Sequence, residues 1–254
     1  MTHFGSRNQV LAALSPEVVR SLDLKPVKLS AGDRLHRYSQ HCRHLTFIEA
    51  GVVGISMPLN GTESADVLSL SYESVLGLGA LVGQTRLTEN ATVRNCGWAY
   101  QAAVDRALSV MENHRSFEKA MFLAMDKQRR MSARNAACIA SHSASQRLCR
   151  SLLFYNAHGQ EDEVHINQGA LGTVLGVRRS TVNLSLKALI GIQALQVARG
   201  RVRLLDVNRL SEIACSCLRN DNLAEPGSHE SRRENASPEL ISSTLTSGVD
   251  QMVQ

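Results

Sequence analysis

One stretch of this 254-residue chain constrains its fold more than any other. It runs from Ile166 to Asp206 and reads INQGALGTVLGVRRSTVNLSLKALIGIQALQVARGRVRLLD. Leu171, Val174 and Leu175 fall on one face of a short helix, for which Asn167 is a candidate N-cap. Gly176 supplies the positive φ that ends such a helix, and Gly172 sits where a second helix would cross closely. After Val177 the apolar residues Val182, Leu186 and Leu189 return at helical spacing. The opposite face offers Arg178, Arg179, Ser180, Thr181, Asn183 and Lys187. Two short strands follow, Leu195–Val197 and Val202–Leu205, with Arg199-Gly200-Arg201 at the turn. The pattern predicts a helix-turn-helix with a β-hairpin wing, whose second helix suits the DNA major groove. A plain helical hairpin with a solvated basic face would explain the charge, but not the glycines or the wing.

Charge supports the same reading. From His165 to Leu205 there is no Asp or Glu, while six Arg and Lys residues occur there. The whole chain carries a formal charge of only +5, so the basic bias is local. A one-signed basic segment is the footprint of phosphate binding.

The rest of the chain changes texture in order. Leu11, Leu14, Val18, Val19 and Leu22 predict short helices with one buried stripe. From Lys25 to about Ala102, short β-type runs alternate with turn chemistry: Val27–Leu29, Leu45–Glu49, Val52–Met57, Val67–Ser71, Ala91–Asn95 and Trp98–Gln101. The breaks are Ala31-Gly32-Asp33, Ala50-Gly51 and Asn60-Gly61. Many short strands with frequent turns predict a small antiparallel barrel or jelly roll. Asp105 to Ser141 is helical in pattern, and Phe117, Met121, Ala124, Gln128, Met131, Asn135 and Cys138 recur in steps of four and three. That heptad spacing predicts a parallel dimer seam with Gln128 and Asn135 setting register; packing on the helix's own domain is the alternative. Ser143 to His158 and Leu210 to Cys217 read as further helices. The Ser-rich tail from Arg219 has the composition of a disordered segment.

The fold class expected is α+β, in four parts. Residues 1–103 form N-terminal helical turns and an antiparallel β-roll. Residues 104–141 carry the dimerisation helix, 142–218 the winged helix-turn-helix, and 219–254 the tail. No apolar window of about 18 residues is present, so no membrane span is expected. MTHFGSRNQV lacks signal-peptide character, and six scattered cysteines fit reduced thiols in a cytoplasm.

Three regions carry groups suited to other chemistry. His36, His41, Cys42 and His44 crowd one stretch, without the spacing of a strong metal motif. Cys215-x-Cys217 offers two ligands, too few to close a tetrahedral site alone; packing, a redox pair or a partner-completed site are the readings. Cys138 on the seam suggests an inter-subunit disulfide. No metal site and no enzyme activity are expected, since no triad or paired-carboxylate constellation has catalytic context.

The order of β-roll, long helix and winged helix-turn-helix resembles the Crp/Fnr family of bacterial transcription regulators, from about Val10 to Leu218. LGVRRSTVNLSLKAL is the specific part, and HLTFIEAGVVGIS, SVLGLGALVG and ARGRVRLLDVNRLSEIACSCL look like a proteobacterial subgroup with a Cys-x-Cys ending. The resemblance implies a homodimer on a pseudo-palindromic operator. Arg179, Ser180 and Asn183 would read bases, Arg178 and Thr181 would lie near phosphates, and Lys187, Arg199 and Arg201 would add DNA contacts. Ser180 replaces the family's usual acid and Leu184 a common arginine, so the operator should differ from the best-known consensus. Ser185 stands where an apolar residue is usual. The family's cyclic-nucleotide cassette maps to Gly77, Leu78, Gly79, Asn90 and Ala91, the candidate effector pocket. Its ribose-binding acid and phosphate-binding arginine are missing here, and Glu89 would repel a phosphate, so cyclic AMP is not expected. The cofactor is unknown. The partners implied are double-stranded DNA, a second copy, an unidentified small-molecule effector and, as a further candidate, RNA polymerase. Two alternatives stay open: a β-roll module acting mainly through protein contacts, and a regulator responding to cysteine oxidation.

Overall fold

Asn8 starts the fold by serving two elements at once. Its side-chain oxygen accepts from the backbone N–H groups of Val10 and Leu11 at 3.1 and 3.2 Å, capping helix α1 (Gln9–Ala12). Its amide donates to Ile48 O and Ser74 O, both at 2.9 Å, stitching that cap to the sheet. Helix α2 (Pro16–Ser21) follows with Ser15 as N-cap and proline in its first turn. Leu11, Leu14, Val18, Val19 and Leu22 are all buried, as the apolar spacing predicts. The computed structural model describes residues 5–59, 64–159, 163–164, 166, 168–198 and 200–217. The Asn60-Gly61 turn, the Asn167 cap, Arg199 and the tail from Arg219 lie outside the described residues.

Among those residues the β-roll is a six-stranded antiparallel sheet. Its strands are β1 (Lys25–Leu29), β2 (Arg34–His36), β3 (His44–Pro58), β4 (Ser64–Leu70), β5 (Val75–Leu76) and β6 (Asn90–Ala103). The central path runs β1-β6-β3-β4, with β2 against β6 and β5 against β3. Ala50-Gly51 is not the turn expected from sequence, and Ala91–Asn95 and Trp98–Gln101 are not separate strands. β3 and β6 each run straight through, and their register shifts between Ile48 and Val53. The glycines there serve close approach. A Cβ on Gly97 would sit 2.0 Å from Ala50 O, and one on Gly51 would sit 2.7 Å from Asn95 O. The long strands therefore bulge and twist where two backbones nearly touch.

Helix α3 (Val104–Asn113) breaks at His114, and α4 (Arg115–Ser141) continues for 27 residues. Its heptad stripe faces inward. Phe117, Met121 and Ala124 are buried in the chain's own core, so they have no surface left for a partner. Gln128 donates to Val75 O at 2.6 Å and Asn135 to Val67 O at 3.1 Å, while Met131 packs on the sheet's core. The seam expected at these six positions is thus taken up by contacts within the chain, its C-terminal half against the roll. Cys138 is likewise buried, facing Cys215 of the same chain, which removes the inter-subunit disulfide reading.

Helix α5 (Ala144–His158) opens on a full capping box, with Ser143 and Gln146 satisfying each other's backbone N–H groups. It is the hub of the C-terminal part. Leu148 and Leu152 pack with Leu171, Leu175, Val182, Leu186 and Leu189, and Val52 of β3 belongs to the same core. The fully buried Tyr155 places its hydroxyl 3.3 Å from Ser69 Oγ, and its carbonyl accepts from Asn95 Nδ2 at 3.1 Å. His158 stacks between Tyr72 and Phe154, with ring centroids 5.0 and 4.1 Å away.

Candidate nucleic-acid interface

Helix α6 (Gln168–Leu175) and helix α7 (Arg179–Gly191) are joined by Gly176-Val177-Arg178. Gly176 holds φ at +61°, a conformation that costs an L side chain but not glycine. Val177 N then donates back to Gly172 O at 3.0 Å, tightening the turn. A Cβ on Gly172 would come within 3.0 Å of Val177 O, so this position accounts for the closeness of the two helices. Val182, Leu186 and Leu189 anchor the inner face of α7. Ser185, where an apolar residue was expected, is also buried; its hydroxyl accepts from Ser145 Oγ at 3.1 Å, so the polar group is paired.

The outer face of α7 presents what the sequence predicts, with one addition. Arg178, Arg179, Ser180 and Lys187 are exposed, and Thr181 and Asn183 are half-buried. Leu184 stands out among them at 70% exposed, an apolar group in the middle of a polar face. Arg179 leans on Gln168 Oε1 at 3.4 Å, a long contact that leaves the guanidinium free to reorient. Arg178 is the N-cap residue of α7 but makes no side-chain cap, so the helix begins with open N–H groups.

The wing is a three-stranded sheet among the described residues, ordered β7 (Glu163–Val164), β9 (Arg201–Leu204), β8 (Leu195–Ala198). Gly200 turns it at φ +75°. Strand β7 brings in a charge that the basic run lacks in sequence. Glu163 pairs across β9, its two carboxylate oxygens each 3.4 Å from a guanidinium, Arg201 on one side and Arg203 on the other. The segment that is purely basic in sequence is therefore partly neutralised in space. Helix α8 (Val207–Ile213), capped by Asp206, packs on α5 and closes the domain. It ends before the two cysteines that were expected within it.

The candidate effector residues do not form a cradle. Ala91 is fully buried and Leu78 nearly so, and the side-chain oxygen of Asn90 accepts from Tyr38 N at 3.0 Å. Gly77 is left-handed at φ +86° and lies against His44 O and Cys42 Sγ, where a Cβ would come within 2.9 Å of either. Gly79 faces Gln84. A cavity of about 630 Å³ does open nearby, lined by His36, His41, Cys42, Arg43 and Arg86 among others, but none of the five expected residues lines it. Burial pulls the His36 imidazole below its usual pKa and pushes the Cys42 thiol up, which keeps both neutral at pH 7. The histidines of this stretch do not gather with Cys42 into a metal-ligand group among the described residues.

Residues 146–213 match the Crp-like helix-turn-helix domain family. Among curated proteins, none matches the chain. Solved structures share its fold. A transcriptional regulator of the Crp/Fnr family from Eubacterium rectale superposes with a TM-score of 0.65 at 13% identity, over 82% of this chain and 98% of its own. FixK2 from Bradyrhizobium japonicum gives 0.62 at 12% identity, over 76% and 98%. A Crp-family transcriptional regulator from Thermus thermophilus gives 0.63 at 18% identity, over 74% and 96%.

Proposed function

We propose that this chain, which carries a Crp-like helix-turn-helix domain within the Crp/Fnr-type fold, is a transcription regulator that binds a two-fold-symmetric DNA site as a homodimer. The observation that carries the reading is the outer face of α7. Arg179, Ser180, Asn183, Leu184 and Lys187 project from a helix whose inner face is locked by Val182, Leu186 and Leu189. Arg179 is suited to the O6 and N7 edge of a guanine, and Asn183 to adenine. Leu184 suits a thymine methyl where a longer basic residue would reach a polar edge. Arg178, the open N-terminus of α7, and Arg201 would contact phosphates, which fix register without reading sequence.

The dimer would form on a different stripe of α4 from the one its heptads first suggest. Shifting the seam by one residue turns it by about 100°. It then runs through Phe122, Met125, Arg129, Ser132, Ala136 and Ile139, with Ala133 and Ala140 beside it. Phe122 is 49% and Ile139 39% exposed in the single chain. Small residues in the C-terminal half allow two helices to approach closely.

Genome-fragment binding by the full chain and by its Arg179→Ala variant tests the proposal. A short palindromic motif is expected from the parent. The variant should lose about 1–3 kcal/mol per half-site and relax one position in each. Equal loss on operator and random DNA would refute the base-reading role of Arg179. No enriched motif from the parent, under reducing and oxidising conditions alike, would refute the regulator reading.

A further inference from the structure

The end of α4 and the segment after α8 meet in a cluster that no single stretch of sequence announces. Cys138 lies in the last turn of α4, and His142 is the residue that caps its end, donating its backbone N–H to Cys138 O at 3.0 Å. Cys215 and Cys217 lie just beyond α8. The three sulfurs and one imidazole nitrogen all lie within 4.8 Å of one another. Cys138 Sγ is 3.6 Å from Cys215 Sγ, and Cys217 Sγ is 3.9 Å from His142 Nδ1. We propose that Cys138, His142, Cys215 and Cys217 form a tetrahedral binding site for a single zinc-class divalent metal ion.

The distances carry the assignment. Sulfurs bound to one zinc at about 2.3 Å stand roughly 3.8 Å apart along a tetrahedral edge. The spacing here is close to that edge and far longer than the ~2.05 Å of a disulfide. Three cysteines and one histidine are also the donor set of closed structural zinc sites. Cys138 and Cys215 are buried while His142 and Cys217 are half-buried, so an ion has an entry side and a dry floor. Three thiolates around a dication leave one net negative charge. Arg150 supplies the compensating cation: it favours the thiolates of Cys138 and Cys217, and its guanidinium is held by Asn135 Oδ1 at 2.7 Å.

Position gives the site its consequence. Cys138 and His142 end the helix that lies on the β-roll; Cys215 and Cys217 end the DNA-binding domain. A metal here ties the two across the α4–α5 junction, so metal occupancy sets how firmly α7 is held relative to α4. The site also differs from a redox pair, because four donors converge where two would suffice.

The test uses the reduced full-length chain, stripped of metal and titrated with Zn(II) and, in parallel, with Co(II). One equivalent of zinc per chain is expected, with an upward shift in Tm. Cobalt should give the intense visible bands of a tetrahedral site and thiolate charge transfer in the near ultraviolet. Cys217→Ser and His142→Asn, both at half-buried positions, should fold with unchanged circular dichroism. They should weaken zinc at least tenfold and alter the cobalt spectrum. Stoichiometric zinc that is indifferent to both variants would overturn the assignment of ligands. Weak, octahedral-type cobalt binding by the parent would overturn the site itself. Both readouts are independent of DNA, so they stand or fall separately from the proposed regulator function.

Discussion

If the wing faces DNA as proposed, Glu163 competes with it for the two wing arginines, and Glu163→Gln should expose the competition. Each carboxylate oxygen holds one guanidinium at 3.4 Å. The arginines are 57% and 56% exposed against 27% for the glutamate, so solvent screens both contacts. Pairs of this kind contribute about 0.2–1 kcal/mol each. For DNA to take both arginines of one wing, roughly 0.4–2 kcal/mol must be given back, a factor of about 2 to 30 in affinity per wing. The amide keeps the shape and removes the charge, so that factor should return as tighter binding. It should appear equally on operator and random DNA, because phosphates carry no sequence information. Fluorescence anisotropy of a labelled random duplex between 50 and 200 mM salt measures it. If an arginine stays with Glu163 in the parent complex, the slope of log K against log salt should also steepen by about 0.9 for each phosphate gained. Unchanged or weaker binding across the salt range, by a variant with unchanged circular dichroism, would show that the wing does not face phosphate.

Two further perturbations follow from the geometry. Phe122→Glu on the outward stripe of α4 should weaken the dimer. Burying the exposed half of each Phe122 contributes about 0.7–1.5 kcal/mol, so two copies correspond to a dissociation constant raised about 10- to 100-fold before any cost of the buried charge. Sedimentation equilibrium would read this, and an unchanged dimer would move the interface elsewhere. Alkaline pH should loosen the fold through Tyr100 and Tyr155, whose hydroxyls burial pushes up to about 12. A raised folded pKa means the unfolded chain ionises first, so their contribution is complete below pH 10 and lost as pH climbs from 10 through 12. Tyrosinate absorbance should show Tyr100 and Tyr155 ionising late; ionisation of both near pH 10 would contradict their burial.

The helix-turn-helix was legible because its determinants are local: a glycine at φ +61°, another under a crossing helix, and apolar residues at helical spacing. The α4 stripe was legible in period but not in target. Spacing says that a face is buried without saying against what. Glycine was ambiguous in the same way: Gly51 reads as a turn, yet it sits inside β3 because Asn95 O comes so near. Glu163 and the Cys138–Cys217 cluster escaped for a different reason. Their meaning lies in chain crossings, β7 against β9 and α4 against the segment after α8, and no local pattern records which distant segments a fold brings together.

The anchoring of Tyr155 bears on how this molecule could be cut and recombined. Its hydroxyl meets Ser69, its carbonyl takes Asn95, and Val52 completes the core around it. A winged domain excised at Ser143 would leave a tyrosine and its apolar neighbours facing water, with three of their partners on the discarded piece. Grafted onto another roll, it would meet a surface not shaped for it. Its helix-turn-helix part is therefore not a portable cassette: transplantation should succeed only when the matching positions of β3, β4 and β6 travel with it.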